Sequence, residues 1–192
     1  QKWLELSALD KLEKEKVTKL FNNTAADYSS SKTIVEIFEE QVVKNPNKKA
    51  VLFKDKEVTY SELNSMSNKI ARVLRDIGIN KDDFVLVMTE RSIEMIAGIY
   101  GILKAGGAYV PISTNYPEER IRLIIDDCKP KAILVYKVTV PKGLDIPVIN
   151  LADNKIYELE GSNIIKINNE NSLAYAIYTS GTTGNPKGVL IE

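Results

Sequence analysis

Short apolar runs alternate with helical patterns between residues 84 and 136, and this alternation restricts the fold more than any other feature. Alternating strands and helices are typical of a parallel sheet, because each return to the same edge needs a crossover. The strand runs are apolar throughout, as expected where helices cover both faces. The sequence therefore predicts an α/β fold with a largely parallel sheet flanked by helices. Strands are predicted at 84–89, 108–112 and 131–136, with helices at 92–105 and 117–128.

A helix is predicted to begin after Thr33, ahead of this alternating region. Thr33 and Glu36 have the spacing of a capping box, in which side chain and backbone satisfy each other's free donors. Asn45-Pro46 ends the pattern, since the residue before a proline avoids helical conformation. The predicted apolar face consists of Ile34, Ile37, Phe38 and Val42.

A hairpin and a second capped helix are predicted next. Strands at 50–54 and 57–60 flank Asp55-Lys56, which favours a tight turn. Thr59 and Glu62 repeat the capping-box spacing and start a helix that runs to Gly78, a residue type common where helices end.

The chain is predicted to divide into an inter-domain linker with a helix, 1–32, and a main domain, 33–192. Residues 7–21 have an amphipathic helical pattern with Ser7 as a possible N-cap. The first residue is not methionine and the last residues form a strand-like run, so we expect an excised piece of a longer chain. Residues 137–171 hold the weakest signals, with one strand predicted at 147–151.

Charge and composition disfavour several classes of partner. Lys plus Arg equals Asp plus Glu at 26 each, so no electrostatic excess favours nucleic acid or an anionic membrane. No apolar run approaches the ~20 residues that span a bilayer, and the first residues do not resemble a signal peptide. We expect a cytoplasmic protein without nucleic-acid or membrane partners.

Histidine is absent, which removes Ser-His-Asp and Cys-His catalysis and most zinc sites from consideration. The single cysteine, Cys128, cannot form an internal disulfide and has no histidine to activate it. It is predicted to be a packing residue near a helix end.

The densest group of polar donors follows the last apolar strand, predicted at 173–178. Thr179 to Gly188 reads TSGTTGNPKG and holds four hydroxyls, three glycines and one lysine. Glycines let successive N–H groups converge, and hydroxyls with an ammonium add donors, so the pattern favours a loop that binds phosphate oxygens. It is not a Walker A loop, because Pro186 stands where a glycine is required and a strand-like run follows. The alternative is an exposed turn between two strands, although ten residues exceed what a simple hairpin needs.

The run LAYAIYTSGTTGNPKGV, 173–189, resembles the phosphate-loop signature of the adenylate-forming superfamily, and in particular the third core motif of the adenylation domains of nonribosomal peptide synthetases. Residues 103–111 and 58–63 resemble the second and first core motifs, and 22–25 resembles the family's entry segment. The resemblance covers about residues 20 to 192. One departure lies at Ser113-Thr114, where the family usually has Asp-Pro. The geometry of this turn is therefore not predicted by the resemblance.

The resemblance implies activation of an amino acid by ATP to an aminoacyl-adenylate and pyrophosphate, followed by transfer to phosphopantetheine. Mg²⁺ is implied by the charge of the leaving pyrophosphate, but its ligand is not identifiable. No catalytic residue is assigned, because the family's acyl-transfer lysine lies outside these residues, and the piece alone is predicted to be inactive. The residues that the resemblance assigns to the β- and γ-phosphates are Thr179, Ser180, Gly181, Thr182, Thr183 and Gly184, with Lys187 nearby.

The resemblance also implies partners: a carrier (thiolation) domain and an upstream condensation domain. Two alternatives stay open. One is an acyl-CoA or D-alanine–carrier-protein ligase of the same superfamily, and the other is a non-catalytic interface module whose N-terminal helix docks on a neighbouring domain.

Several other motifs are interpreted as structural. Gly106-Gly107 is expected to allow close packing of a helix on the sheet. Thr59, Tyr60 and Glu62 are expected to cap a helix or fill the core, not to catalyse. The acidic clusters 118–119 and 126–127 are predicted to lie on solvated helix faces.

Overall fold

A computed structural model describes residues 9–26, 31–179 and 186–192 and divides the chain into two compact units, Gln1–Ser30 and Ser31–Glu192. The first unit contains α1 (Lys11–Glu15), which continues as a π-helical segment, Lys16–Leu20. The predicted helix at 7–21 is thus found over its central part, but its N-cap is Asp10, whose carboxylate accepts from the Glu13 N–H at 2.8 Å. Ser7, predicted as the cap, lies outside the described residues.

Among the residues described, the second unit contains four α-helices, one 3₁₀ helix and eight strands. The α-helices are α2 (Ile34–Lys44), α3 (Tyr60–Asp76), α4 (Ile93–Ala105) and α5 (Glu118–Cys128). The strands are β1 (Lys49–Phe53), β2 (Lys56–Thr59), β3 (Phe84–Thr89), β4 (Ala108–Pro111), β5 (Ala132–Tyr136), β6 (Val148–Asn150), β7 (Tyr175–Thr179) and β8 (Lys187–Ile191). The bounds predicted for the helices and strands of residues 33–192 agree with these to within about two residues. Nowhere in the described ranges is there a helix with the length and apolar character needed to cross a membrane.

Six strands form one sheet in the order β6-β5-β3-β4-β7-β8, and β1 and β2 form a separate antiparallel hairpin. Every pairing in the larger sheet is parallel except that of β7 with β8. The prediction of an α/β fold with a largely parallel sheet is confirmed. The tight turn of the hairpin falls on Lys54-Asp55, one residue earlier than predicted, with Lys54 at φ 54°.

Helices pack on both faces of the sheet, as the apolar strands predicted. On one face, α3 and α4 pack on side chains such as Val85 and Leu134. On the other face, α5 packs on alternate residues of the same strands, such as Leu86 and Ile133. Consecutive strand residues point to opposite faces, so each strand contributes to both cores.

The apolar face of α2 differs from the prediction. Val35 and Phe38 are buried, whereas Ile34 and Ile37 are 49% and 44% exposed. Phe38 stacks on Tyr100 of α4 with ring centroids 4.1 Å apart. The helical period allowed either face, and the contacts with α3 and α4 select the one that is buried.

Both predicted capping boxes are present. Thr33 Oγ1 accepts from the Glu36 N–H at 3.3 Å, while the Glu36 carboxylate accepts from the Thr33 N–H at 2.8 Å. Hydrogen bonds from Lys166 and from Thr33 lower the pKa of Glu36 to about 2. The local sequence therefore defines where α2 begins.

The capping box of α2 supplies a first test. Thr33→Ala removes the acceptor for the Glu36 N–H and is expected to lower the free energy of unfolding by about 1 kcal/mol. Urea unfolding measures the change, with Thr33→Ser as the control because serine keeps the hydroxyl. Equal stabilities of the alanine and serine variants would show that the cap does not stabilise α2.

Part of the stretch where sequence signals are weakest, residues 157–165, is held by the polar side of α3. It begins at the end of a 3₁₀ helix, Asn154–Glu158, and continues as an extended segment. The Asn68 side chain donates to the Gly161 carbonyl at 2.7 Å, and Arg72 Nε donates to the Glu160 carbonyl at 2.9 Å. Side chains of α3 thus take the place of a strand ladder for this segment.

Candidate functional site

The predicted phosphate loop connects β7 to β8, and the structure describes its two ends. Thr179 is the last residue of β7, Lys187 is the first of β8, and they lie opposite each other in the antiparallel ladder. The Thr179 hydroxyl donates to the Lys187 carbonyl at 3.5 Å. Both residues are exposed. The other five predicted residues, Ser180, Gly181, Thr182, Thr183 and Gly184, lie outside the described residues.

The loop begins at the carboxyl edge of the parallel strands, because β7 runs parallel to its neighbour β4. At this edge the chain leaves β3 for α4 on one face and leaves β4 for α5 on the other. Where the connections of two adjacent strands leave on opposite faces of the sheet, a crevice opens between them, and ligands of open α/β sheets bind there. The candidate loop therefore follows the strand next to this crevice.

A cleft of about 510 Å³ lies at the reversal between β3 and β4. The Thr89 hydroxyl at the end of β3 is buried and has no hydrogen-bond partner among the described residues. No sequence motif indicates this cleft, because its walls come from segments that are far apart in the chain. Its lining consists of Phe53, Lys54, Thr89, Glu90, Arg91, Ile112, Ser113, Thr114 and Asn115.

The unusual Ser113-Thr114 pair forms a regular turn on the wall of this cleft. Ser113 Oγ accepts from the Asn115 N–H at 3.3 Å, and the Ser113 carbonyl accepts from the Tyr116 N–H at 3.1 Å. A serine hydroxyl can bond the backbone two residues on, as an aspartate carboxylate does. The departure from the family pattern therefore leaves a hydrogen-bonded turn in place.

Gly106 and Gly107 have the packing role that was predicted. Gly106 follows α4 at φ 95°, a left-handed conformation that glycine adopts without strain. A Cβ on Gly107 would lie 2.8 Å from the backbone oxygen of Asp83. These glycines let the end of α4 approach the turn before β3.

The predicted role of Cys128 is also confirmed. It is the last residue of α5, packs against the core on that face and forms no disulfide. Burial raises the pKa of its thiol to about 11, so the unreactive thiol form dominates.

The acidic residues 118–119 and 126–127 are exposed, as predicted. The Asp127 carboxylate also accepts a hydrogen bond from the Tyr178 hydroxyl, which the sequence does not indicate. No group of three or more Asp, Glu or Cys side chains within the described ranges could hold a metal ion.

The fold and the loop sequence together are those of an α/β protein with a candidate phosphate-binding loop at the carboxyl edge of its sheet. The chain belongs to the AMP-binding enzyme family, whose pattern matches residues 38–192.

Similar curated proteins include synthases of gramicidin S and tyrocidine. The chain is 46% identical to gramicidin S synthase 2 of Brevibacillus brevis over 193 residues, covering 98% of this chain and 4% of the relative. It is 46% identical to tyrocidine synthase 3 of Brevibacillus parabrevis over 184 residues, covering 93% of this chain and 3% of the relative. The chain therefore spans a small part of the length of these relatives.

Solved structures of similar proteins have the same fold. The AMPPNP-bound form of the nonribosomal peptide synthetase FmoA3 is 28% identical, with a TM-score of 0.77 over 88% of this chain and 18% of its own. The N-terminal subdomain of Klebsiella oxytoca NpsA is 27% identical, with a TM-score of 0.74 over 84% of this chain and 42% of its own.

Proposed function

We propose that this chain is the first part of an amino-acid adenylation domain of a nonribosomal peptide synthetase and that its β7–β8 loop binds the β- and γ-phosphates of ATP. The whole domain joins the amino-acid carboxylate to the α-phosphate, releases pyrophosphate and then transfers the aminoacyl group to phosphopantetheine. The observation that carries the proposal is the donor-rich sequence between Thr179 and Lys187, which follows a parallel strand at the carboxyl edge. The names of the relatives support the reaction class.

The ends of the loop fit a polyphosphate chemically. An exposed hydroxyl on Thr179 and an exposed ammonium on Lys187 lie on opposite strands, and both can donate to anionic oxygens. Phosphoryl chemistry depends mainly on positioning and charge stabilisation, which such donors supply. We assign the backbone and hydroxyl donors of 180–184 to the phosphate oxygens and Lys187 to neutralising the charge beside them.

The proposal includes further groups. ATP is the nucleotide, and similarity to a synthetase with AMPPNP bound supports this. Mg²⁺ offsets the charge of the pyrophosphate, with no ligand assigned within this chain. The partners are an amino acid, a carrier (thiolation) domain with phosphopantetheine, and an upstream condensation domain that precedes the linker, for which we propose residues 1–32. The adenylation domain then begins at residue 33, in a cytoplasmic protein.

Amino-acid-dependent exchange of pyrophosphate into ATP tests this function in the natural full-length protein. A Thr182→Ala and Thr183→Ala double variant is expected to lose at least about tenfold in kcat/KM for ATP, because two donors to the phosphates are removed. Thr139→Ala, an exposed threonine in another loop, is the control and is expected to leave exchange unchanged.

Other outcomes would favour the alternatives. Exchange that depends on fatty acids, with none for amino acids, would indicate an acyl-CoA ligase, and exchange with D-alanine alone would indicate a carrier-protein ligase. A wild-type protein without exchange for any acid would contradict the proposal. Loss of contact with a neighbouring domain on deletion of residues 1–21, with nucleotide binding unchanged, would then support the interface module.

A further inference from the structure

The last buried side chain before the candidate loop belongs to Tyr178. It is 8% exposed and belongs to the core between the sheet and α5. Its hydroxyl donates to Asp127 Oδ2 near the end of α5. Thr179 follows directly, so this contact lies at the base of the loop.

The other side of the Tyr178 ring is covered by the strand that leaves the loop. Tyr178 lies opposite Gly188 in the β7–β8 ladder. A Cβ built on Gly188 would be 3.1 Å from Tyr178 Cζ and 3.3 Å from its hydroxyl oxygen, so a larger residue there would displace the ring. The ring thus lies between the backbone of β8 and the side chain of Asp127.

Apart from the β7–β8 ladder, the residues that the structure describes give this end of the hairpin few contacts with the rest of the domain. The ladder between β4 and β7 places Tyr109 opposite Tyr175, at the beginning of β7, and all five residues of β8 are exposed. Beyond Tyr175, β7 is packed into the core by Ala176 and Tyr178. Tyr178 is therefore the side chain that fixes the strand where the loop begins.

We propose that Tyr178 is a positioning residue for the phosphate loop, holding both of its ends against α5 through Asp127 and Gly188. The inference rests on the proposed function and adds a residue that does not itself contact the nucleotide. Donors on Thr179 and Lys187 can meet the phosphates together only if the two strand ends keep their spacing and direction.

The hydrogen bond between Tyr178 and Asp127 is of a kind that can hold the strand end in place. Burial, together with the hydrogen bond to Asp127, raises the pKa of Tyr178, so the phenol stays a neutral donor near pH 7. The adjacent Cys128 thiol is also neutral there, so no second charge competes for the hydroxyl. A hydrogen bond between a neutral phenol and a carboxylate is charge-assisted and stronger than one between neutral groups.

The test is Tyr178→Phe in the full-length protein, which removes the hydroxyl and keeps the ring. Loss of the hydrogen bond to Asp127 is expected to raise the KM for ATP in pyrophosphate exchange about fivefold, the effect of about one hydrogen bond. The KM for the amino acid is expected to stay within about twofold of the wild-type value. In the absence of nucleotide, amide hydrogen exchange at residues 179, 187 and 188 is expected to be faster than in the wild type. Asp127→Asn keeps an acceptor oxygen and is expected to retain most of the affinity, whereas Asp127→Ala is expected to match Tyr178→Phe.

Tyr157→Phe is the matched control. Its hydroxyl donates to the Leu151 carbonyl at 3.0 Å, and burial raises its pKa to about 12, but it lies on the face covered by α3 and α4. This variant is expected to lose stability without a change in the KM for ATP. If Tyr178→Phe behaves in the same way, the positioning role is overturned while the proposed function stands. A wild-type protein inactive in exchange would overturn the proposed function and this inference together.

Discussion

Glu39→Gln is expected to lower the free energy of unfolding by about 3 kcal/mol, because it leaves a buried ammonium without its counter-charge. Lys104 lies in α4 with its side chain 1% exposed, and its Nζ forms an ion pair with Glu39 of α2. The same Nζ lies 5.9 Å from the centroid of the Phe38 ring. Glu39 is 28% exposed, so some solvent reaches the pair and the lower end of the usual range applies.

Two variants separate the charge effect from a loss of packing. Adding Lys104→Met to Glu39→Gln removes the unpaired charge and is expected to restore most of the stability, since a packed apolar chain can replace a buried ion pair. Glu40→Gln breaks the exposed pair with Lys32 and is expected to cost less than about 1 kcal/mol. Equal losses for Glu39→Gln and Glu40→Gln in urea unfolding would show that burial of Lys104 does not matter.

The pH dependence of Glu39→Gln follows from the direction of the Lys104 shift. Burial lowers the pKa of Lys104 below its ordinary value, and Glu39 opposes that shift. Without Glu39 the folded state binds fewer protons than the unfolded state as pH approaches the lysine's unfolded pKa, about 10.4. Stability therefore rises with pH in that range. Urea unfolding at about pH 7 and 9.5 is expected to show a larger rise for Glu39→Gln than for the wild type.

Gly106→Ala is expected to lower the free energy of unfolding by about 3 kcal/mol. Part of this is the strain of a left-handed conformation in a residue with a Cβ, about 1–2 kcal/mol. The rest is overpacking, because the new Cβ would lie 2.6 Å from Cδ1 and 2.7 Å from Cγ1 of Ile167. Thermal and urea unfolding measure the sum.

Gly78→Ala is the matched control for this effect. Gly78 follows α3 at φ 91°, close to the 95° of Gly106, but nothing lies within 4 Å of a Cβ built there. It is expected to show the strain alone, about 1–2 kcal/mol. Ile167→Val in the Gly106→Ala background is expected to recover part of the difference. Equal costs at the two glycines would contradict the close contact with Ile167.

Local sequence signals predicted most of the fold. Short apolar runs indicated the strands of the six-stranded sheet, and β3 has the predicted bounds. The capping boxes at Thr33 and Thr59 defined two helix starts, because their hydrogen bonds join residues three apart. Where the sequence was ambiguous, as in the choice of the buried face of α2, tertiary packing decided.

The candidate site was predicted in part. The loop from Thr179 to Lys187 stood out because its donors are adjacent in sequence, and the structure places its two ends opposite each other. The cleft between β3 and β4 left no sequence signal, since its walls come from the hairpin β1–β2 and from two separate strand ends. Asp127 is exposed, as predicted, but its hydrogen bond with Tyr178 joins residues 51 positions apart and has no local sequence signal.

The alternation of strands and helices, the helix caps and the donor-rich loop can all be predicted from the sequence, because each depends on residues within a few positions of one another. Which polar groups are buried together depends on how the helices and strands pack. Lys104 and Glu39 are 65 positions apart, and Arg72 and Glu160 are 88 apart. Such pairs form when separate helices pack, since desolvation then makes an unmatched charge or carbonyl costly. No local sequence pattern indicates which distant residue will be the partner. The hydrogen bond between Tyr178 and Asp127 could therefore be found only in the folded structure.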